Sequence, residues 1–451
     1  MRENTEGGIM TAKPFKWQEA HIEHLIACLM SYPYALDASD TGTGKTFTSL
    51  FVAKALGQEP FVIAPKIVLS AWEDAARDCG VKLSGLVNIQ KLKGKNHDAL
   101  HRLPNHGTKK NPISNWKWNI PPGTFVIWDE AQEAGGEDTQ NARVMYALKQ
   151  GGLPCLAMSA TIAEDPTRLK SLGYLLGLHH FTNFRTFCAQ NGCVRNPFSV
   201  YTLMFSKRKI VADAVLLKLH KEIFPERGSR LRIADIDDFP DCSIMADAYD
   251  LPDRKKVDAI YDHLEEQLME ADDDEPAIVK ILRARQNVEL LKTPIFVDLT
   301  LAALAEGKSV AVFVNFRASF YAIQEALIKL GTVPAIVLGG QKKLGRDFEI
   351  AQFQSNEKHA ILLMVQAGGI GVSLHDLHGR PREALISPPY SAKDLKQVLG
   401  RIHRAGSKSK AIQKIVFVAR TVEETACDAV RRKLINLGTL NDGDLSTGAG
   451  F

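Results

Sequence analysis

The sequence has few cysteines: seven in 451 residues, an odd number, mostly scattered. That composition fits a reducing compartment better than a disulfide framework. No apolar run reaches the roughly 18 residues that a membrane-spanning helix needs. The opening "MRENTEGGIM" has no positive-then-apolar signal layout. The formal net charge of +4 is small for the length, so bulk charge names no partner, and polyanion binding would have to come from local patches. Hydrophobic content of 45% and charged content of 24% are those of a globular chain. The expectation is a soluble cytoplasmic protein with no membrane association, and the length allows two or three domains.

One further absence falls inside a motif. The stretch "YALDASDTGTGKTFTSLFVAKAL" looks like a phosphate-binding loop, but the pattern G-x-x-x-x-G-K-[ST] would put glycine at 39, where Ser39 stands. The remaining chemistry is intact. Thr41, Gly42, Thr43 and Gly44 form a loop whose backbone N–H groups can converge on anionic oxygens, with a helix N-terminus behind them. Lys45 supplies charge and Thr46 a hydroxyl for Mg²⁺. A nucleotide site is expected, with ATP and Mg²⁺ as cofactors.

Such a loop needs an acid at the end of another strand. In "FVIWDEAQ", Asp129 follows a largely apolar strand and would hold the metal through water; Glu130 would orient or deprotonate the attacking water. Positive charge on the γ-phosphate is usually supplied by arginine. "QVLGRIHRAGSKS" carries Arg401 and Arg404 three residues apart, on one face if the segment is helical.

The organisation around these motifs is α/β. "FVIAPK", "TFVIWDEA" and "LPCLAMSAT" read as buried parallel strands ending in polar loops, separated by helical patterns that stop at glycine. The pattern returns in "SVAVFVNF", "VPAIVLGG", "HAILLMVQAGG", "EALIS" and "AIQKIVFVA". Four segments are expected: a first parallel-sheet lobe over 1–165, a mainly helical insertion over 166–290, a second parallel-sheet lobe carrying the arginines over 291–440, and a frayed tail over 441–451. With the arginines in the second lobe, catalysis would require lobe closure. The acidic run "EADDDEP" reads as a solvated turn between helices.

The order of these motifs resembles superfamily 2 helicases, and within them the Snf2-like group of DNA translocases, over about residues 14–420. The motifs are "SDTGTGKT", "APKIVLSAW", "DEAQ", "SAT", "VFVNF", "QAGGIGVSLHDL" and "QVLGRIHRAG", with "FKWQEAHIEHL" upstream. The resemblance implies two RecA-like lobes and ATP hydrolysis driving movement on nucleic acid. It assigns Gln18 to adenine, and Ser159, Thr161 and Gln397 to coupling hydrolysis with lobe movement. It assigns Lys66, Ser70, Gly368, Gly369 and Ser373 to the DNA backbone. "LGGQKKLGRDFEIAQFQ" resembles the Snf2-like pattern ahead of the fifth main motif. Two departures are Ser39-Asp40, where Snf2-like chains have Asp-Glu, and Gln132, where they have histidine. At this length there is no room for chromodomain, bromodomain or SANT-like extensions. The compact form is similar to phage-encoded branch-migration helicases, which would place it in a bacterial host cell.

The stretch 91–118 has seven Lys/Arg against one acid, with Trp116 and Trp118 near its end. Basic and aromatic residues together suit backbone tracking or base stacking, and equally suit a solvated loop with two buried tryptophans. Cys188 and Cys193, with His179 and His180 before them, invite a zinc reading, but Cys-x4-Cys is wide and no second pair closes the site. The expected partner is duplex or branched DNA, with RNA the lesser candidate. The rival functions are a strand-separating helicase on single-stranded DNA or RNA, and a nucleotide-dependent switch or assembly subunit that moves nothing.

Overall fold

The computed structural model describes residues 12–94, 97–103, 106–108, 111–113, 115–136, 139–196, 199–206, 208–237, 239–249, 251, 254–269, 276–368, 372–389, 391–418 and 423. The chain divides into two compact units after Asp237. Among the described residues no helix is long and apolar enough to cross a membrane.

In the first unit, six strands form one parallel sheet in the order Gly228–Ser229, Tyr34–Asp37, Cys155–Met158, Val126–Trp128, Phe61–Ile63, Gly85–Val87. The four central strands are buried along their whole length, as their unbroken apolar runs require of a sheet covered on both faces. One face packs on helices Lys16–Ser31, Lys45–Ala55 and Leu69–Cys79 through Leu25, Leu50, Val52 and Trp72. The other packs on helices Gln140–Gln150 and Lys209–Ile223 through Val144, Leu148, Leu216 and Leu219.

The second unit repeats the plan: Cys242–Tyr249, Ala411–Val418, Arg382–Ile386, Ser309–Val314, Ala360–Met364, Ala335–Val337, again all parallel. Its core runs from Phe296 and Phe320 through Val312, Leu362 and Leu385 to Val416. Two parallel-sheet lobes are what the strand-helix alternation implies.

The boundaries differ from those read along the chain. The stretch 166–290, expected as a helical insertion, is shared between the units. Its first part belongs to the first unit and includes the antiparallel pair Cys193–Asn196/Ser199–Phe205 and the edge strand Gly228–Ser229. Its second part supplies the edge strand Cys242–Tyr249 and the packed helices Arg254–Met269 and Ala277–Leu291. Both new strands are edges. One has only two residues, and the other, "CSIMADAY", carries serine and aspartate, so neither shows a buried-strand run. Residues 270–275 of the acidic run, and the tail, lie outside the described residues.

Candidate ATP site and nucleic-acid contacts

The chemistry-bearing residues of the first unit lie at the carboxyl ends of three neighbouring strands, where open parallel sheets bind ligands. Tyr34–Asp37 runs into the phosphate loop, Cys155–Met158 into Ser159 and Thr161, and Val126–Trp128 into Asp129 and Glu130.

The loop is shaped by Gly42 at φ 90° and Gly44 at φ 85°, a left-handed backbone that favours glycine. A Cβ at Gly44 would also stand 2.7 Å from Nε2 of Gln18. Gln18 is buried. Its amide donates to the Thr43 carbonyl at 3.0 Å and the Thr48 hydroxyl at 3.2 Å, and its Oε1 accepts from the Phe15 N–H at 3.0 Å. The residue assigned by resemblance to adenine therefore braces the loop in this structure.

Ser39, the position that departs from the glycine pattern, has a use for its hydroxyl. It accepts from the Leu231 N–H at 3.1 Å and lies 3.0 Å from Nε2 of His21, which is 2.8 Å through Nδ1 from the Ser229 hydroxyl. The same imidazole meets Asp37 at 3.2 Å. Asp37 is completely buried; burial pushes its carboxyl up, but His21, Lys45 and Ser39 outweigh this and hold it below the usual range.

Lys45 begins the helix behind the loop and donates to the carbonyls of Ser39 and Asp40, each at 2.9 Å. Burial pulls its ammonium down, and the charges of Asp37, Glu130, Asp129 and Asp40 oppose that pull. Asp129 is pushed well above the usual carboxylate range, by burial first and by the charge of Glu130 second. Its two oxygens accept from the Trp72 indole at 3.2 Å and the Glu130 N–H at 2.9 Å. Glu130 has φ 51°, rare for a residue with a Cβ, and its carboxylate accepts from the Gln132 amide. Two adjacent carboxylates, one resisting ionisation, form a donor set that a divalent cation would stabilise, and the residues thus fit Mg²⁺ with Thr46. Ser159 and Thr161 form a closed turn: the Ser159 hydroxyl donates to the Thr161 carbonyl at 2.7 Å and accepts its N–H at 3.1 Å.

In the second unit, the motifs containing Ser373 and Arg401 come together. The Leu374 N–H donates to the Arg401 carbonyl at 2.9 Å, and Arg401 and Arg404 both donate to the Val372 carbonyl, at 3.2 and 3.1 Å. Burial, then the charge of Arg401, pulls Arg404 down to about 9. Gln397 is buried on the helix Ala392–Leu399, capped by the Ser391 hydroxyl. Ser373 bonds His375 at 2.9 Å. Gly368 ends a short helix, Val365–Gly368, and Gly369 lies outside the described residues.

Of the expected backbone contacts in the first unit, Lys66 is exposed and Ser70 half-buried, both just beyond the strand Phe61–Ile63. The tryptophans require a correction. Trp116 and Trp118 are 5% and 8% exposed and sit in the core, Trp118 edge-on to Phe61 at 5.8 Å with its indole donating to the Val144 carbonyl. They are unavailable for base stacking, because the antiparallel pair Leu100–Arg102/Trp116–Trp118 turns them inward. Its outer face presents His101 and Lys117, while Arg102 pairs with Trp116 on the other face and sets its guanidinium 5.9 Å from the centre of that ring. Trp118→Ala should cost about 3–5 kcal/mol in chemical denaturation, whereas Lys117→Ala should stay within about 0.5 kcal/mol of wild type. Cys188 and Cys193 are buried in the same core, thiols 3.8 Å from carbonyls, and His179 packs on Phe184 and Phe187. Among the described residues no three His, Cys, Asp or Glu side chains are grouped to hold a metal ion.

The family model for the helicase conserved C-terminal domain matches residues 292–406. A curated protein of Acanthamoeba polyphaga mimivirus, named "Putative ATP-dependent RNA helicase", is 33% identical over 461 residues, a match spanning 96% of this chain and 85% of the viral protein. Among solved structures, the chain is similar to the Sulfolobus solfataricus SWI2/SNF2 ATPase core in complex with dsDNA, at 18% identity and TM-score 0.38, over 99% of this chain and 96% of that one. It is also similar to S. cerevisiae Dbp5 bound to RNA and ADP BeF3, at 14% identity and TM-score 0.48, over 93% and 88%.

Proposed function

Because the chain belongs to the superfamily 2 helicases, which are nucleic-acid-dependent ATPases, we propose that it is an ATP-driven translocase on duplex or branched DNA, of the Snf2-like kind. The observation that supports ATP hydrolysis is the placement of the phosphate loop with Lys45 and of Asp129 and Glu130 at the same ends of two strands that flank Cys155–Met158, with both acids acting on the Lys45 charge.

In this reading Lys45 leaves the Ser39 and Asp40 carbonyls for the β- and γ-phosphates, while the loop N–H groups hold the remaining oxygens. Mg²⁺, held by Thr46 and through water by Asp129, would neutralise charge on the phosphates. Glu130 accepts the proton of the attacking water. Arg401 and Arg404 would supply the positive charge that the γ-phosphate needs in the transition state. Ser159, Thr161 and Gln397 couple these events to movement. Lys66, Ser70, Gly368, Gly369 and Ser373 contact phosphates of the nucleic acid, which a translocase grips without reading bases. The exposed outer face of the strand pair Leu100–Arg102/Trp116–Trp118 adds Lys117 to that set.

Duplex DNA is favoured by the Snf2-like spacing in "LGGQKKLGRDFEIAQFQ". A second reading, an RNA helicase, is favoured by the printed name of the mimivirus relative. The test is steady-state ATPase rate without nucleic acid and with single-stranded DNA, duplex DNA, a four-way junction and single-stranded RNA. Duplex or junction DNA should stimulate most, by about tenfold or more through completion of the catalytic set. Strongest stimulation by RNA or a single strand overturns the duplex reading in favour of strand separation, and indifference to all of them replaces the motor with a switch.

A further inference from the structure

The phosphate loop is attached along one side to a segment far away in sequence. The chain from Arg227 to Ile233 runs parallel to Leu36–Asp40 and bonds it step by step: Leu36 N–H to the Arg227 carbonyl at 3.0 Å, Ala38 N–H to Ser229 at 2.9 Å and Asp40 N–H to Leu231 at 3.0 Å. The pairing thus continues past the strand and into the loop. At its end is Asp40. One carboxylate oxygen accepts from the Arg230 guanidinium at 3.0 Å and the other from the Ile233 N–H at 3.1 Å. Arg230 also donates to the Ala38 carbonyl at 2.5 Å. The pair is largely shielded from water, with side-chain exposures of 8% for Arg230 and 18% for Asp40. The carbonyl of the same Asp40 receives the Thr43 hydroxyl at 2.8 Å and the Lys45 ammonium at 2.9 Å. Asp40 therefore joins the loop's inner bonds to the outer segment.

We propose that Arg230 is a positioning residue for ATP binding, acting through Asp40 to hold the phosphate loop open for its ligand and to neutralise a carboxylate beside the phosphates' seat. The inference rests on the phosphate-loop reading above. Two consequences follow from removing the guanidinium. The segment 38–40 loses two of its side bonds, those to the Ala38 carbonyl and the Asp40 carboxylate, so part of the ordering of the loop is added to the cost of binding. Asp40 also loses its guanidinium partner and keeps only the Ile233 N–H and the more distant Lys45, leaving more negative charge close to where a polyphosphate must sit. Both consequences weaken binding before chemistry begins. Once ATP is seated, its own oxygens organise the loop, so turnover changes less.

Arg230→Ala should raise KM for ATP about tenfold while kcat stays within about twofold, the signature of lost binding that ground and transition states share. Adding Asp40→Asn should recover most of that loss, because it removes the stranded charge; a purely structural pair would leave the double variant as weak as Arg230→Ala or weaker. An unchanged KM in Arg230→Ala, or a double variant with no recovery, overturns the inference. If Arg230→Ala fails to fold, Arg230→Gln carries the same comparison. Lys45→Ala separates the two readings: if it binds fluorescent ATP normally, the phosphate-loop reading fails, whereas lost binding there with a wild-type KM in Arg230→Ala overturns only the role of Arg230.

Discussion

Glu130→Gln should lower kcat for ATP by about a thousandfold while leaving ATP affinity within about threefold of wild type. The substitution removes one capability and little else. Glutamine has the shape of glutamate and can still accept from the Gln132 amide, so the local bond survives. It cannot take a proton from water. The backbone argues that the carboxylate's placement matters: Glu130 is held at φ 51°, a conformation costing about 1–3 kcal/mol in a residue with a Cβ. That conformation turns the chain directly after a buried strand, between Asp129, whose carboxylate caps the Glu130 N–H, and the short helix Ala131–Ala134. A carboxylate kept there at such cost is consistent with a base aimed at a bound nucleotide. The measurement is turnover under saturating ATP and stimulating nucleic acid, with binding followed separately by fluorescent nucleotide. Turnover within tenfold of wild type would remove Glu130 from the chemistry and leave Asp129 as the remaining acid at that strand end.

How much of this was legible in the sequence depended on how local each signal is. The phosphate loop is readable because strand, glycines, lysine and helix follow one another within a single stretch, and the left-handed angles at Gly42 and Gly44 match the positions where the pattern needs glycine. Asp129 and Glu130 were readable because an apolar run ends on them. The parts that escaped involve partners far apart in the chain. Gly228–Ser229 is a strand only because Leu36 and Asp37 lie beside it. Arg230 sits in an unremarkable polar stretch, and nothing there points to Asp40, 190 residues upstream. The role of Ser39 was hidden for the same reason: a missing glycine shows in the sequence, but His21 and Leu231, which make serine useful, do not. The tryptophans at 116 and 118 alternate with an exposed lysine. That alternation signals a half-buried strand, yet the basic composition around it signals a nucleic-acid surface. The structure divides the two signals by face, with the rings in the core and the charges outside.

Arg404→Ala should reduce kcat by about a thousandfold or more, and it should do so without lowering thermal stability. The two halves of that expectation have one cause. Arg404 is drawn down to about 9 by burial and by the neighbouring Arg401, but remains protonated at neutral pH. Its hydrogen bonds go to the carbonyls of Gly400 and Val372, which are dipoles and carry no net charge. A half-buried guanidinium set beside a second, buried one and facing carbonyls is an unfavourable arrangement for the unit on its own. It becomes favourable when an anion arrives, and a γ-phosphate in transit brings the most negative charge to the site. Alanine would relieve repulsion with Arg401 and remove the charge the reaction uses, so the melting temperature should hold or rise as turnover collapses. Lysine should not restore the rate, because it offers a point charge in place of a planar fork and would have to reach both carbonyl and phosphate from one nitrogen. Arg401, more deeply buried and bonded through its guanidinium to the Val372 carbonyl, should behave differently: Arg401→Ala loses packing as well as charge, and its melting temperature should fall. A variant at Arg404 that melts lower and turns over normally would identify a structural arginine and move the search for the charge at the γ-phosphate to Arg401 alone.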